Sequence, residues 1–342
     1  MPGFKVGIVF IVNLLWASIA WASMDSLLEP KHVAVIVNTQ DPNSVEIGEY
    51  YLKARNIPAR NLIGIEVPVR SALSLEQFNA IKVQIDSKLS PEIKVLAVVW
   101  TRPYAVVCNS ITAALTLGYD EEQCKNGCAP GKKNPYFNSN SLDSTQDHAM
   151  RLAMLIPTDS VEGAKSLIDR GVLTGFNLSQ STGYFLRTSD KARSSPRERF
   201  YPKDFFKVDS RKIFFRNMRQ NDIQHKKDIM FYITGLMQVP YLDTLNFVPG
   251  AIADHLTSFG GALDQGGNQM KATAWLEAGA TGSYGTVTEP CNHWQKFPNP
   301  EVLVKHYLAG NTLVEAYWKS VYWPAQGLFV GEPLAAPFKG LH

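Results

Sequence analysis

The sequence predicts an α/β fold, a three-layer sandwich built on a mostly parallel sheet, from two observations. Apolar runs bounded by turn residues alternate along the chain with amphipathic stretches, the pattern of βαβ units. The first three such runs, with the helical stretches between them, already make a βαβαβ beginning.

The elements follow in order. "HVAVIVN" is the first strand, and it stops at "TQDPNS", where Asp41 can cap a helix and Pro42 can open it. Ile47, Tyr51 and Ala54 then recur on one helical face. "NLIGIEV" and "KVLAVVW" are buried strands separated by a helix from Leu75 to Leu89. "RLAMLIP" and "TGYFLRT" flank a helix in "SVEGAKSLIDRG", whose Gly171 suits a left-handed helix end. "DIMFYITG" and "LNFVPGAI" are two further strands. "NQMKATAWLEAG" is a helix closed by Gly279, "ATGSYGTV" a strand with its loop, and "NTLVEAYWKSV" a last helix before a Pro- and Gly-rich end.

Residues 1–22 read as a cleaved signal peptide, with one early Lys5, an apolar core and an Ala20-Trp21-Ala22 cleavage pattern. An uncleaved anchor is the alternative, but the uncharged run is shorter than the roughly 20 apolar residues that span a bilayer. Residues 23–342 are then a single exported α/β domain, periplasmic or extracellular, with no transmembrane helix left after cleavage. The chain carries 34 basic and 31 acidic residues, so no strong overall field steers it to polyanions, and nucleic acid is not an expected partner.

Export permits disulfides. The four cysteines are Cys108, Cys124, Cys128 and Cys291, and three fall in a Gly-, Asn- and Pro-rich stretch inside a predicted excursion at about 102–147. A bridge from Cys108 to Cys124 or Cys128 staples that excursion and leaves Cys291 as the expected free thiol.

In parallel sheets, ligands gather beyond the carboxyl ends of the strands. That rule selects Asn38 and Asp41, then Thr101 and Arg102, then "PGAIADHLTSFGG" with Asp254, His255 and Ser258, and finally "GSYGTVTEPCNHW" with Ser283, Tyr284, Glu289, Cys291, Asn292 and His293. Asp254 and His255 are adjacent, so on a strand their side chains diverge and do not pair. Two roles are open to them: a capping carboxylate with a core histidine, or a general base facing the cleft. A Cys291 thiolate beside His255 or His293 is the candidate nucleophile, with Ser283 as the other.

Cys291 and His293 are too few ligands for a zinc site, so neither metal nor cofactor is expected. His148 and His306 are expected to be structural. The segment from Arg187 to Arg219 carries eleven basic against four acidic residues. It is either solvated surface or a place where Arg193, Arg197 or Arg199 holds an anionic ligand. The aromatic tail from Tyr317 to Phe338 is expected in the core.

Four phrases carry a resemblance: "HVAVIVNTQDPNSVEIGEYYLKARNIPARNLI", "PGAIADHLTSFGG", "GATGSYGTVTEPCN" and "EAYWKSVYWPAQGLFVGEPLAAPF". Together they resemble a family of exported bacterial proteins of unknown function. More distantly, the chain is similar to gingipain-like and caspase-like cysteine peptidases, whose sheet places a His-Gly after one strand and an Ala-Cys after the next. "MFYITGLMQV" and "NFVPGAIADH" occupy those places, without a His near Thr234-Gly235 or a Cys near Gly250-Ala251. "FVGEPLAAPF" resembles the Gly-Asp-Pro ending of that group.

The resemblance therefore implies a caspase-like layering without the peptidase dyad. On this reading the protein binds a small ligand or an envelope protein. One alternative is a hydrolase that uses His255 with Asp254 and either Cys291 or Ser283, and another is a structural envelope component whose glycine loops serve packing.

Overall fold

The computed structural model describes residues 27–175, 180–203, 207–208, 212–264 and 267–340. The predicted signal peptide, residues 1–22, lies outside them. No helix among the described residues is long and apolar enough to cross a membrane.

The amino-terminal half follows the predicted alternation. Strand β1 (Val33–Asn38) is buried throughout and leads into α1 (Pro42–Arg55), where Asp41 accepts from the Asn43 amide at 3.1 Å. Ile47 and Tyr51 turn inward from α1 as their spacing requires. Strands β2 (Leu62–Ile65) and β3 (Ala72–Leu73) precede α2 (Leu75–Lys88), whose Ser74 and Gln77 form a capping box. Strand β4 (Val95–Val99) is again wholly buried.

Residues 102–147 hold β5 (Ala105–Val106), β6 (Asn109–Ser110), α3 (Ile111–Leu117), α4 (Glu121–Lys125) and α5 (Ser144–His148). A small three-stranded sheet, β3-β5-β6, anchors the start of this segment.

Strand β7 (Leu152–Ile156) and α6 (Val161–Val172) come next, then β8 (Ser181–Leu186), α7 (Lys191–Glu198), β9 (Lys207–Val208) and β10 (Ile213–Met218). The remaining elements are β11 (Ile229–Thr234), β12 (Phe247–His255), α8 (Thr273–Glu277), β13 (Gly282–Thr286), α9 (Pro300–Leu308), α10 (Leu313–Ser320) and β14 (Gly327–Gly331).

Eleven strands form one sheet in the order β2-β1-β4-β7-β14-β13-β12-β11-β8-β10-β9. Strands β2, β1, β4 and β7 are mutually parallel, and so are β13, β12, β11, β8 and β10. Strand β14 runs antiparallel to β13 between these two blocks, and β9 antiparallel to β10 at the edge. The three layers are visible at two neighbouring residues of β11. Phe231 meets Tyr307 of α9 on one face, with ring centroids 6.0 Å apart, and Tyr232 meets Trp275 of α8 on the other at 5.0 Å.

One expectation is corrected. Gly171 does not close α6 in a left-handed turn, because the helix continues through Val172. Its missing side chain serves packing instead: a Cβ there would stand 2.3 Å from Glu332 Oε2. Glu332 follows β14 and has no exposed surface. It accepts from the Tyr51 hydroxyl at 2.7 Å, from Arg55 Nε at 3.0 Å and from the Leu334 amide at 3.2 Å, and it also takes the Arg55 Nη2. The chain end is thereby tied to α1 and α6 through one carboxylate.

Strands β10 and β14 and helices α7 and α9 were not visible in the sequence pattern. Strand β14 is short and glycine-bounded, and α7 contains Pro196 within a run of charge.

Glu332→Ala leaves Arg55 and Tyr51 without their acceptor in the core and is expected to destabilise the protein by about 3–5 kcal/mol. Denaturant unfolding measures this, and a loss below about 1 kcal/mol would show that Glu332 does not fasten the chain end.

Candidate functional site

The turn after β12 and strand β13 meet through glycines. A Cβ on Gly285 would lie 2.3 Å from the Gly260 carbonyl carbon, and one on Gly261 would lie 2.4 Å from the Gly285 oxygen. The Gly261 amide donates to the Thr286 oxygen at 2.9 Å, and the Thr286 hydroxyl donates to the Ser258 oxygen at 2.8 Å. Backbone this close is open only to residues without side chains. The two glycine-flanked turns therefore share one rim. The loop after β12 also meets the loop after β4 and the one before β3, where Tyr104 and Ser71 donate to Asp264 at 2.7 and 2.8 Å.

On β12, Asp254 and His255 emerge on opposite faces of the sheet. Asp254 is 1% exposed and accepts from Arg197 Nη1 at 2.6 Å. Arg197, equally buried, also donates to the Thr234 carbonyl at 2.7 Å and lies over the Phe297 ring. Burial raises the Asp254 carboxyl above the usual carboxylate range, against the pull of the Arg197 guanidinium. Among the described residues, Asp254 Oδ2 and Arg197 Nε have no hydrogen-bond partner, nor does the nearby phenol of Tyr317. Arg197 is thus an inward anchor and does not reach a ligand from the rim.

His255 is 2% exposed and both of its ring nitrogens are engaged. Trp275 Nε1 donates to Nδ1 at 3.0 Å, and Nε2 lies 3.1 Å from the Met270 carbonyl oxygen. An acceptor at Nδ1 and a donor at Nε2 define the neutral tautomer. Burial pushes the imidazole down to about 3. Ser283 is also fully buried on β13, and its hydroxyl has no partner among the described residues. No hydrogen bond joins Asp254, His255, Ser283 or Glu289 to another of the four among the described residues.

The expectation for Cys291 is corrected. It is bonded to Cys128, and Cys108 is bonded to Cys124, so there is no free cysteine. A disulfide sulfur is not a thiolate, and the Cys291 nucleophile is excluded in this state. Three of the four cysteines lie within 21 residues of one another, which points to a short bridge among them and away from Cys291. The actual bridge joins residues 163 apart and fixes the loop after β13 to the segment after α4. In that loop Glu289 accepts from the Cys291 amide at 2.8 Å, and Cys291 and Asn292 both adopt positive φ, at 60° and 55°.

Several selected residues serve the scaffold. Asn38 is buried, bonds the Val67 carbonyl at 2.8 Å and accepts from the Val67 amide at 3.0 Å. Asp41 caps α1 and accepts from the Thr158 hydroxyl at 3.0 Å. Arg102 pairs with Asp159 at 2.8 Å. Tyr284 is buried and donates to the Lys296 carbonyl. Ser258 is nearly buried beside Thr286.

Open surface beside the selected loops lies around α7. A Cβ on Gly235 would stand 2.2 Å from the Arg193 oxygen, so α7 roofs the end of β11, the place that the peptidase resemblance gives to an imidazole. A cleft of about 510 Å³ lies between α7 and the loop after β13, lined by Lys191, Ser195, Arg199, Asn292, His293 and Trp294. The Arg199 guanidinium stands over the rings of Phe200 at 4.7 Å and Trp294 at 5.7 Å. Arg193 pairs with Asp190 at 2.8 Å. Among the described residues no group of three or more His, Cys, Asp or Glu could hold a metal ion.

The chain matches no family model and no curated protein. Solved structures similar to it include one described as a protease, at 11% identity and a TM-score of 0.43, covering 92% of this chain and 80% of that one. The Arg-specific cysteine proteinase gingipain R is similar at 10% identity and a TM-score of 0.37, covering 91% and 79%. The complex of Porphyromonas gingivalis RgpB pro- and mature domains is similar at 10% and 0.33, covering 89% and 79%.

Two outcomes are expected. Iodoacetamide added to denatured, non-reduced protein labels no cysteine, and an adduct on Cys291 would contradict the Cys128–Cys291 bridge. His255 titrates near 6.5 when unfolded but only near 3 when folded, so the unfolded chain binds the extra proton between these values. Stability present above about pH 6.5 is therefore lost as pH falls toward 3. His306, also pushed down to about 3, adds to this slope. Thermal melts across that range should show a shallower fall for His255→Gln than for the natural protein.

Proposed function

We propose that this protein is an exported binding protein, periplasmic or extracellular, without hydrolytic chemistry at His255, Ser283 or Cys291. The observation that carries this reading is the state of His255, whose two ring nitrogens are both committed inside the core. A general base must reach the proton it removes, and this imidazole faces Trp275 and Met270. The hydrolase alternative also loses its thiolate to the Cys128 bridge. The same two disulfides suit a chain that matures in an oxidising compartment.

The binding surface in this reading is the cleft between α7 and the loop after β13. Asn292 and His293 line it from one side, and Arg199 from the other. A guanidinium held against two rings offers a flat, charged surface, which suits a ligand or partner with a planar anionic or aromatic group. The Cys128 bridge holds the loop to this cleft without recourse to a regular element.

The protein lacking residues 1–22, offered a panel of peptidase, esterase and glycosidase substrates, is expected to show no turnover. Turnover that vanishes in a folded His255→Gln variant would sink the reading. In a thermal-shift screen of aromatic carboxylates and short peptides, compounds that stabilise the protein are expected to lose about ten-fold in affinity on Arg199→Gln.

A further inference from the structure

A second cleft, of about 400 Å³, opens on the other side of Lys191, at the carboxyl ends of β8 and β10. Arg187 and Thr188 come from the end of β8, Ser189 and Lys191 from the start of α7, and Arg219 and Asn221 from the end of β10. Glu198, at the last turn of α7, also lines it. This cleft does not depend on the binding reading given above.

Its charges are unmatched. Three cations, Arg187, Lys191 and Arg219, face one carboxylate, and none of the salt bridges among the described residues involves any of the four. Arg187 rests over the Tyr201 ring at 5.6 Å, which fixes its stem. The Ser189 amide donates to Asn221 Oδ1 at 2.8 Å, which ties the two strand ends together. Glu198 Oε2 is buried and accepts no hydrogen bond from the described residues. A cleft that gathers forked donors around one carboxylate asks for an anion that itself carries a hydrogen.

We propose that this cleft binds a phosphate group, either inorganic phosphate or a phosphate monoester, and that Glu198 selects it over sulfate. Two guanidinium groups can hold the oxygens in pairs, and Lys191 adds a mobile point charge. Inorganic phosphate carries at least one hydrogen throughout the neutral range, and a phosphate monoester, with its second pKa of about 6, retains one on part of its population. Its P–OH hydrogen donates to Glu198, whereas sulfate brings no hydrogen and meets the carboxylate as a like charge. Discrimination thus comes from the acid, and affinity from the three bases.

Isothermal titration of the natural protein with inorganic phosphate, phenyl phosphate and sulfate at constant ionic strength tests this. Saturable phosphate binding is expected, weaker by about ten-fold or more for sulfate. Arg187→Gln and Arg219→Gln should each lose about ten-fold in phosphate affinity. Lys191→Gln, on the exposed start of α7, should lose less and serves where an arginine variant fails to fold. Glu198→Gln should bring sulfate level with phosphate. The tighter of the two phosphate ligands identifies the source. Absence of saturable phosphate binding overturns the proposal, as do equal phosphate and sulfate affinities in the natural protein or a Glu198→Gln variant that still discriminates. An equal loss on Lys53→Gln, at the remote end of α1, would reduce the effect to net charge and overturn it too.

Discussion

The buried ion pair between Arg197 and Asp254 is the constraint from which the arrangement of the rim follows. A guanidinium with almost no exposure is tolerable only where its charge is matched and acceptors are built to meet it. Asp254 supplies the charge, and the Thr234 carbonyl supplies a second acceptor. Helix α7 must therefore lie across the ends of β11 and β12, and Gly235 is the residue that lets it approach so closely. With its inward side fixed in this way, α7 presents its outer side to two clefts, one toward the loop after β13 and one toward β10.

The same pair explains why the strand end most suited to chemistry has become structural. An acid and an imidazole at the carboxyl end of a central strand look like catalytic equipment, yet strand geometry sends them to opposite layers. Asp254 meets α7 and His255 meets α8. Each finds its partners inside the protein, and neither keeps more than a trace of contact with solvent. What a ligand could meet lies instead on the helix and loops above, where cations outnumber acids.

Disulfides complete the rim. The loop after β13 has no regular structure from Cys291 to His293, and Cys291 and Asn292 sit in the left-handed region, which Asn tolerates but Cys does not favour. Its bond to Cys128 and the buried Lys296, which reaches the Gly127 carbonyl, hold that conformation. Burial pushes the Lys296 ammonium down to about 8, so the contact is made at a cost that only a fixed neighbour justifies. At the opposite end of the molecule, Glu332 performs the equivalent service for the chain end.

The sequence by itself determined the α/β layering, because continuous apolar runs and amphipathic helices are local patterns whose periods are printed in the residues. It also determined the α1 cap at Asp41, the inward face of Ile47 and Tyr51, and the divergence of Asp254 from His255, since each depends on neighbours within a few positions. Only the tertiary structure decided that Asp254 belongs to Arg197, that Cys291 belongs to Cys128, and that Gly171 makes room for Glu332. Those partners lie tens to hundreds of residues apart, and the helix that carries Arg197 holds a proline and a run of charge that conceal its period. Pairing over such distances is set by which surfaces the packed layers bring together, and no local pattern in the chain records it.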